Sequence, residues 1–117
     1  MKQFVFIFKQ GRRLLSPEEQ QQRASEVRAW ALALKAGRKL DPRLLGGQRH
    51  EVSPDGGSVA IPSGAEGSVV AITFLEAADF SEAVKIAETH PGPRYGNSVE
   101  VREWSLPPTL AGSGSAP

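Results

Sequence analysis

The chain has no cysteine, no long apolar run and almost no net charge, and each absence removes a class of function. Without cysteine there is no disulfide, no thiolate nucleophile and no cysteine-based metal site. No segment approaches the roughly 20 apolar residues of a membrane-spanning helix. Phe4 to Phe8 is too short for a signal-peptide core, and it leads into Lys9, Arg12 and Arg13 rather than a small-residue cleavage site, so a cytoplasmic location is expected. With 14 basic against 13 acidic residues no strong field attracts polyanions, which argues against nucleic acid as a partner. His50 and His90 lie far apart without a close ligand motif, so neither a metal nor another cofactor is expected.

What is present suits one globular domain: 117 residues, 39% hydrophobic and 23% charged. The chain is organised around Val69 to Trp104, which reads as strand, helix, His-Pro turn and strand. Ahead of it, Phe4, Phe6 and Phe8 alternate with Val5 and Ile7, which predicts a strand covered on both faces. Ser16, Pro17 and Glu19 form a helix start with a capping box. Ala24, Val27, Ala31 and Leu34, with Trp30 beside them, give that helix its apolar stripe, and Gly37 ends it. Leu40 to Glu51 reads as a short strand ending in a bend at Gly46-Gly47, with Pro42 barring a central position. Around Ser53-Pro54-Asp55-Gly56-Gly57 a hairpin pairs His50–Val52 with Ser58–Ile61, as an insert on the sheet edge. Pro62 to Gly67 is a flexible link.

Val70, Ile72 and Phe74 again alternate with apolar neighbours. Asp79 and Glu82 make a second capping box, before a stripe of Phe80, Ala83, Val84 and Ala87 that stops at His90 because Pro91 follows. In the last strand Val99 and Val101 face opposite to Glu100, Arg102 and Trp104. Residues 1–106 therefore form an α+β domain of split βαβ order, βαββαβ with a hairpin insert, both helices lying on one face of an antiparallel sheet. Residues 107–117 form a disordered tail of Pro, Gly and Ser. Strands apolar on both sides would leave a large exposed patch on a monomer, which predicts a homodimer joined through that sheet face.

The segment HPGPRYGNSVEVREW, His90 to Trp104, after the helix from Asp79, resembles the C-terminal half of YCII-related domains. Lys35-Ala36-Gly37, Gly46-Gly47 and the hairpin at Asp55-Gly56 are similar to the branch named for its Asp-Gly-Pro-Phe tetrapeptide. The resemblance implies ferredoxin-like protomers packed sheet to sheet as a dimeric α/β barrel. It departs at Ile61-Pro62-Ser63-Gly64-Ala65, which stands where that tetrapeptide would be. In shorter members a histidine on the first helix faces an aspartate before the proline. Here Glu26 and His90 occupy those positions, so acid and base have exchanged places.

Two readings of this pair stand side by side. In one, Glu26 orients the His90 imidazole, which shuttles a proton for a small substrate, while Arg94 and Tyr95 contact an anionic or aromatic ligand at the cavity mouth. A carboxylate nearby and the helix C-terminus would both raise the His90 pKa, with burial opposing them. In the other, His90 meets the helix end, Arg94 and Tyr95 pack the turn, and the domain binds a small molecule or dimerises without chemistry. His50 and Glu51 read as solvent-facing, and Gly64 to Gly67 lacks the lysine of a phosphate loop. An RNA platform built on Phe4, Phe6 and Phe8 is disfavoured, since Phe74 stands without flanking basic residues.

Overall fold

The computed structural model describes residues 1–35 and 39–109. Its elements follow the expected order: β1 (Lys2–Lys9), α1 (Pro17–Lys35), β2 (Leu40–Leu44), β3 (His50–Val52), β4 (Ser58–Ala60), β5 (Val69–Ala77), α2 (Phe80–Glu88), a 3-10 turn (Gly92–Tyr95) and β6 (Ser98–Glu103). The main sheet is antiparallel, in the order β2-β5-β1-β6. Pro42 fits because β2 is an edge strand and needs no donor on its outer side.

Register decides which face each residue joins. Phe4, Phe6 and Phe8 stand beside Leu75, Thr73 and Ala71 of β5, while Phe6 and Phe8 also pair with Val101 and Val99 of β6. Both helices cover this face: Ala83, Ile86 and Ala87 of α2 join the buried cluster, and Trp30 and Leu34 of α1 pack against it. The opposite face carries Val5, Ile7, Ile72 and Phe74, all half-buried, with Trp104 edge-on to Phe74 at 5.0 Å.

Both helix starts carry their caps. The Glu19 N–H donates to Ser16 Oγ at 3.1 Å, and the Ser16 N–H donates to Glu19 Oε1 at 3.2 Å. The Glu82 N–H donates to Asp79 Oδ1 at 2.8 Å, while the Glu82 carboxylate accepts from the Ala78 N–H, one residue ahead of the cap. The stripes differ from expectation. Ala24 is exposed, no residue of α1 is fully buried, and the half-buried face of α1 includes Arg23 and Glu26. On α2, Ile86 is buried, whereas Phe80 at the first turn is half-exposed and touches Phe4 from the sheet edge.

The hairpin is corrected more strongly. β3 and β4 form a separate two-stranded sheet, exposed throughout, that packs on no other strand or helix among the described residues. Three-residue strands with Val52 and Val59 both facing water offer no apolar face to dock. The Arg49 guanidinium ties its base down by donating to Pro62 O at 3.0 Å and Ser68 Oγ at 2.9 Å. Gly37, expected to end α1, and residues 110–117 of the expected tail lie outside the described residues; 107–109 are exposed.

Candidate functional site

Four of the residues singled out in the sequence lie where α1 meets the segment after α2. His90 follows the Thr89 cap of α2, and Gly92–Tyr95 form the 3-10 turn that Gly96 closes at φ +92°. The arrangement differs from the expected His90–Glu26 pair. The Glu26 carboxylate accepts from the Arg94 guanidinium at one oxygen and the Tyr95 hydroxyl at the other. That hydrogen bond pushes the Tyr95 pKa above the usual phenol value, so the phenol keeps its proton.

His90 is engaged elsewhere. It is 9% exposed, its ring 4.5 Å from that of Phe8 and 4.6 Å from that of Trp30. Nδ1 accepts the Gly92 N–H at 2.9 Å, which assigns the ring proton to Nε2. No buried side-chain nitrogen or oxygen among the described residues lacks a partner, so Nε2, which makes no hydrogen bond, touches solvent. Burial lowers the His90 pKa to about 4, opposite to the rise anticipated from a nearby carboxylate and the helix end. Two aromatic rings desolvate the imidazole, and Glu26 is already engaged by other donors. His90 is thus neutral at pH 7.

Around this core α1 docks by polar contacts. The Trp30 indole N–H donates to Thr89 Oγ1 at 2.8 Å, and Arg23 Nη1 donates to Asn97 Oδ1 at 3.0 Å. Asn97 is itself held by donating from Nδ2 to Lys9 O at 3.2 Å. The β1–α1 loop closes the arrangement. Arg13 donates from Nη1 to Arg94 O at 2.8 Å and pairs with Glu19 through Nη2. Gly11 lies so close to the 3-10 turn that a Cβ there would stand 1.9 Å from Gly96 O.

Between loop, helix and turn lies a cleft of about 300 Å³ whose polar walls include Arg13, Arg23, Tyr95 and Asn97. Among the described residues no acidic side chain lines it. Arg13, Arg23 and Asn97 were not singled out in the sequence. The available signal was the spacing of Arg23, Glu26 and Trp30 at three and four residues along α1, a mixed stripe that a search for apolar residues passes over.

A second hollow, about 360 Å³, spans one end of the main sheet, from Lys39 and Asp41 past Phe74, Glu76 and Gln3 to Trp104. Among the described residues no three His, Cys, Asp or Glu side chains are grouped so as to hold a metal ion, and no helix is long and apolar enough to cross a membrane. No protein-family model, curated protein or solved structure matches the chain. The likeness to YCII-related domains accordingly rests on the quoted residues alone.

Proposed function

We propose that the chain is a small-molecule-binding module of ferredoxin-like, YCII-related type, acting as a cytoplasmic homodimer joined through the open face of its sheet. The observation that carries the binding reading is the engagement of Glu26 by Arg94 and Tyr95 at the edge of a polar cleft, while His90 is neutral and wedged between aromatic rings. The strand order β2-β5-β1-β6, with both helices on one face, supports the ferredoxin-like description. The uncovered apolar row Val5, Ile7, Ile72 and Phe74 supports the dimer. Around that row Lys9, Glu100, Arg102, Asp41 and Arg43 form ion pairs, and an apolar centre with a charged rim suits a protein interface.

Acid–base catalysis by His90 is the second reading, favoured by the contact of Nε2 with solvent. It is weaker because an imidazole with a pKa of about 4 has almost no acid form at neutral pH and is a poor base. The test is a backbone-amide NMR screen with a panel of small metabolites. Shifts grouped at residues 10–15, 20–26 and 92–97 are expected; a panel that moves none of these resonances would remove the binding reading. Sedimentation at micromolar concentration should show a dimer, and a monomer would refute the sheet-to-sheet arrangement.

A further inference from the structure

We infer that the cleft between the β1–α1 loop, α1 and the 3-10 turn takes a small monocarboxylate, with Arg23 as the group that holds the carboxylate. This rests on the small-molecule-binding reading and adds the class of ligand.

Charges around the cleft do not balance. Around the cleft stand Arg13, Arg23 and Arg94 against Glu19 and Glu26. Arg13 is matched by Glu19, and Arg94 by Glu26. Arg23 has no carboxylate partner among the described residues: its guanidinium donates to the neutral Asn97 amide, and most of its N–H donors remain unused. A half-buried guanidinium facing a cleft without an acidic wall favours an anion, and its planar fork matches a carboxylate in two parallel hydrogen bonds.

One uncompensated cation selects a monoanion. A phosphate dianion would need a second positive charge, and Arg13 could supply it only by leaving Glu19 and Arg94 O. The walls are mostly polar; half-buried Leu15 offers the ligand body one apolar contact, and Leu14, 92% exposed, stands at the rim. The volume, about 300 Å³, limits the ligand to a small molecule.

The experiment is titration of the full chain, followed by calorimetry and NMR, with phenylacetate, its neutral analogue phenylacetamide, and inorganic phosphate. Phenylacetate should bind, shifting the Arg23 Nε–H and Asn97 side-chain amide signals, while phenylacetamide binds at least about tenfold more weakly, the loss of a charge-assisted pair. Arg23→Gln should cost a similar factor. Asn97→Asp, which places a carboxylate on Arg23 while retaining that guanidinium, should abolish carboxylate binding even if Arg23→Gln folds poorly. Arg28→Gln, on an exposed position of α1 outside the cleft, should bind as the parent does.

Equal binding of acid and amide, unchanged affinity in both Arg23→Gln and Asn97→Asp, or absence of phenylacetate binding would overturn the inference. Tighter binding of phosphate than of phenylacetate would overturn it in favour of a phosphoryl ligand. If a neutral metabolite moved the cleft resonances while every carboxylate failed, the carboxylate inference would fall and the binding reading would stand. If no probe moved them, both would fall.

Discussion

Neighbouring residues of β1 end in opposite surroundings. Phe4 and Phe6 are fully buried beneath the helices, whereas Val5 and Ile7, equally apolar, remain half-buried on the face that neither α1 nor α2 covers. Alternation along a strand separates the two faces but does not say what covers each. On the covered side the aromatic layer extends past the sheet to His90 and Trp30, so a polar ring is held among apolar ones. On the open side the apolar row stops at ion pairs, Lys9 with Glu100 at 2.8 Å and Arg43 with Asp41 at 2.8 Å. Exposed, solvent-screened pairs of this kind orient a surface more than they stabilise it.

The largest effect that would sharpen this contrast is Phe6→Ala. A fully buried ring lost from the middle of the covered face should reduce stability by ~3–5 kcal/mol in urea denaturation. A loss under ~1 kcal/mol would show that the helices sit loosely on the sheet.

The next effect concerns acid. The folded-state pKa of His90 lies at about 4, below its ordinary 6.5, so between those values the unfolded chain binds the proton more readily than the folded one. The stability contributed by keeping the ring neutral is therefore complete above pH 6.5. It is lost as pH falls from 6.5 to 4 and changes little below that. At ~1.4 kcal/mol per pH unit this is roughly 3 kcal/mol, an upper bound because the ring still touches water at Nε2. Asp55 and Glu100 have depressed pKa values as well, held down first by the hydrogen bonds from Ser53 and Lys9 respectively, and lose their contributions at lower pH. His90→Gln isolates the histidine. Its urea midpoint should vary less than the parent's between pH 7 and 4.5, and parallel curves would refute a buried neutral His90.

The fold was legible because the strands and caps are local signals. Ser16 with Glu19, Asp79 with Glu82 and the Phe4-Phe6-Phe8 alternation each require only a few adjacent residues. Of the candidate residues read from the sequence Tyr95 lines the cleft, whereas Arg13, Arg23 and Asn97 on its walls were not among them. Glu26, His90, Arg94 and Tyr95 do meet at one junction, yet which donor reaches Glu26 depends on the rotation of α1 and on the 3-10 turn, which moves Arg94 and Tyr95 under the helix. A helix without a fully buried residue carries a weak apolar stripe, so its docking through Arg23, Glu26 and Trp30 was hidden. The hairpin was visible as a turn, since Gly56 at φ +91° and Asp55 are a local signature, but its detachment from the sheet is a long-range fact.

Gly11→Ala tests the rim between the two sheet environments. The added Cβ would meet a backbone oxygen rather than a movable side chain, so the β1–α1 loop must shift away from the 3-10 turn. Overpacking of this kind costs ~1–3 kcal/mol, and the Arg13–Arg94 O contact should weaken with it. Amide exchange at residues 92–97 should accelerate relative to that in β5. Unchanged exchange there would mean that the loop and turn do not support one another.

The smallest intrinsic effect tells most about the open face. Ile7 lies opposite Ile72 on one side and Glu100 on the other, half-buried on the face away from α1 and α2. In an isolated protomer Ile7→Thr removes little buried area and should cost at most ~1 kcal/mol, since nothing closes over the site to leave a cavity. If a second copy covers this face, the same substitution puts a hydroxyl into the centre of an interface and weakens association as well as folding. The two cases differ in their dependence on protein concentration, because only a dimer gains stability by mass action. The parent should melt at rising temperature as concentration increases, and Ile7→Thr should flatten that dependence with little change at the dilute end. A parent whose melting temperature is independent of concentration over a hundredfold range, or about 3 kcal/mol of available mass action, would mean that the open face remains in water.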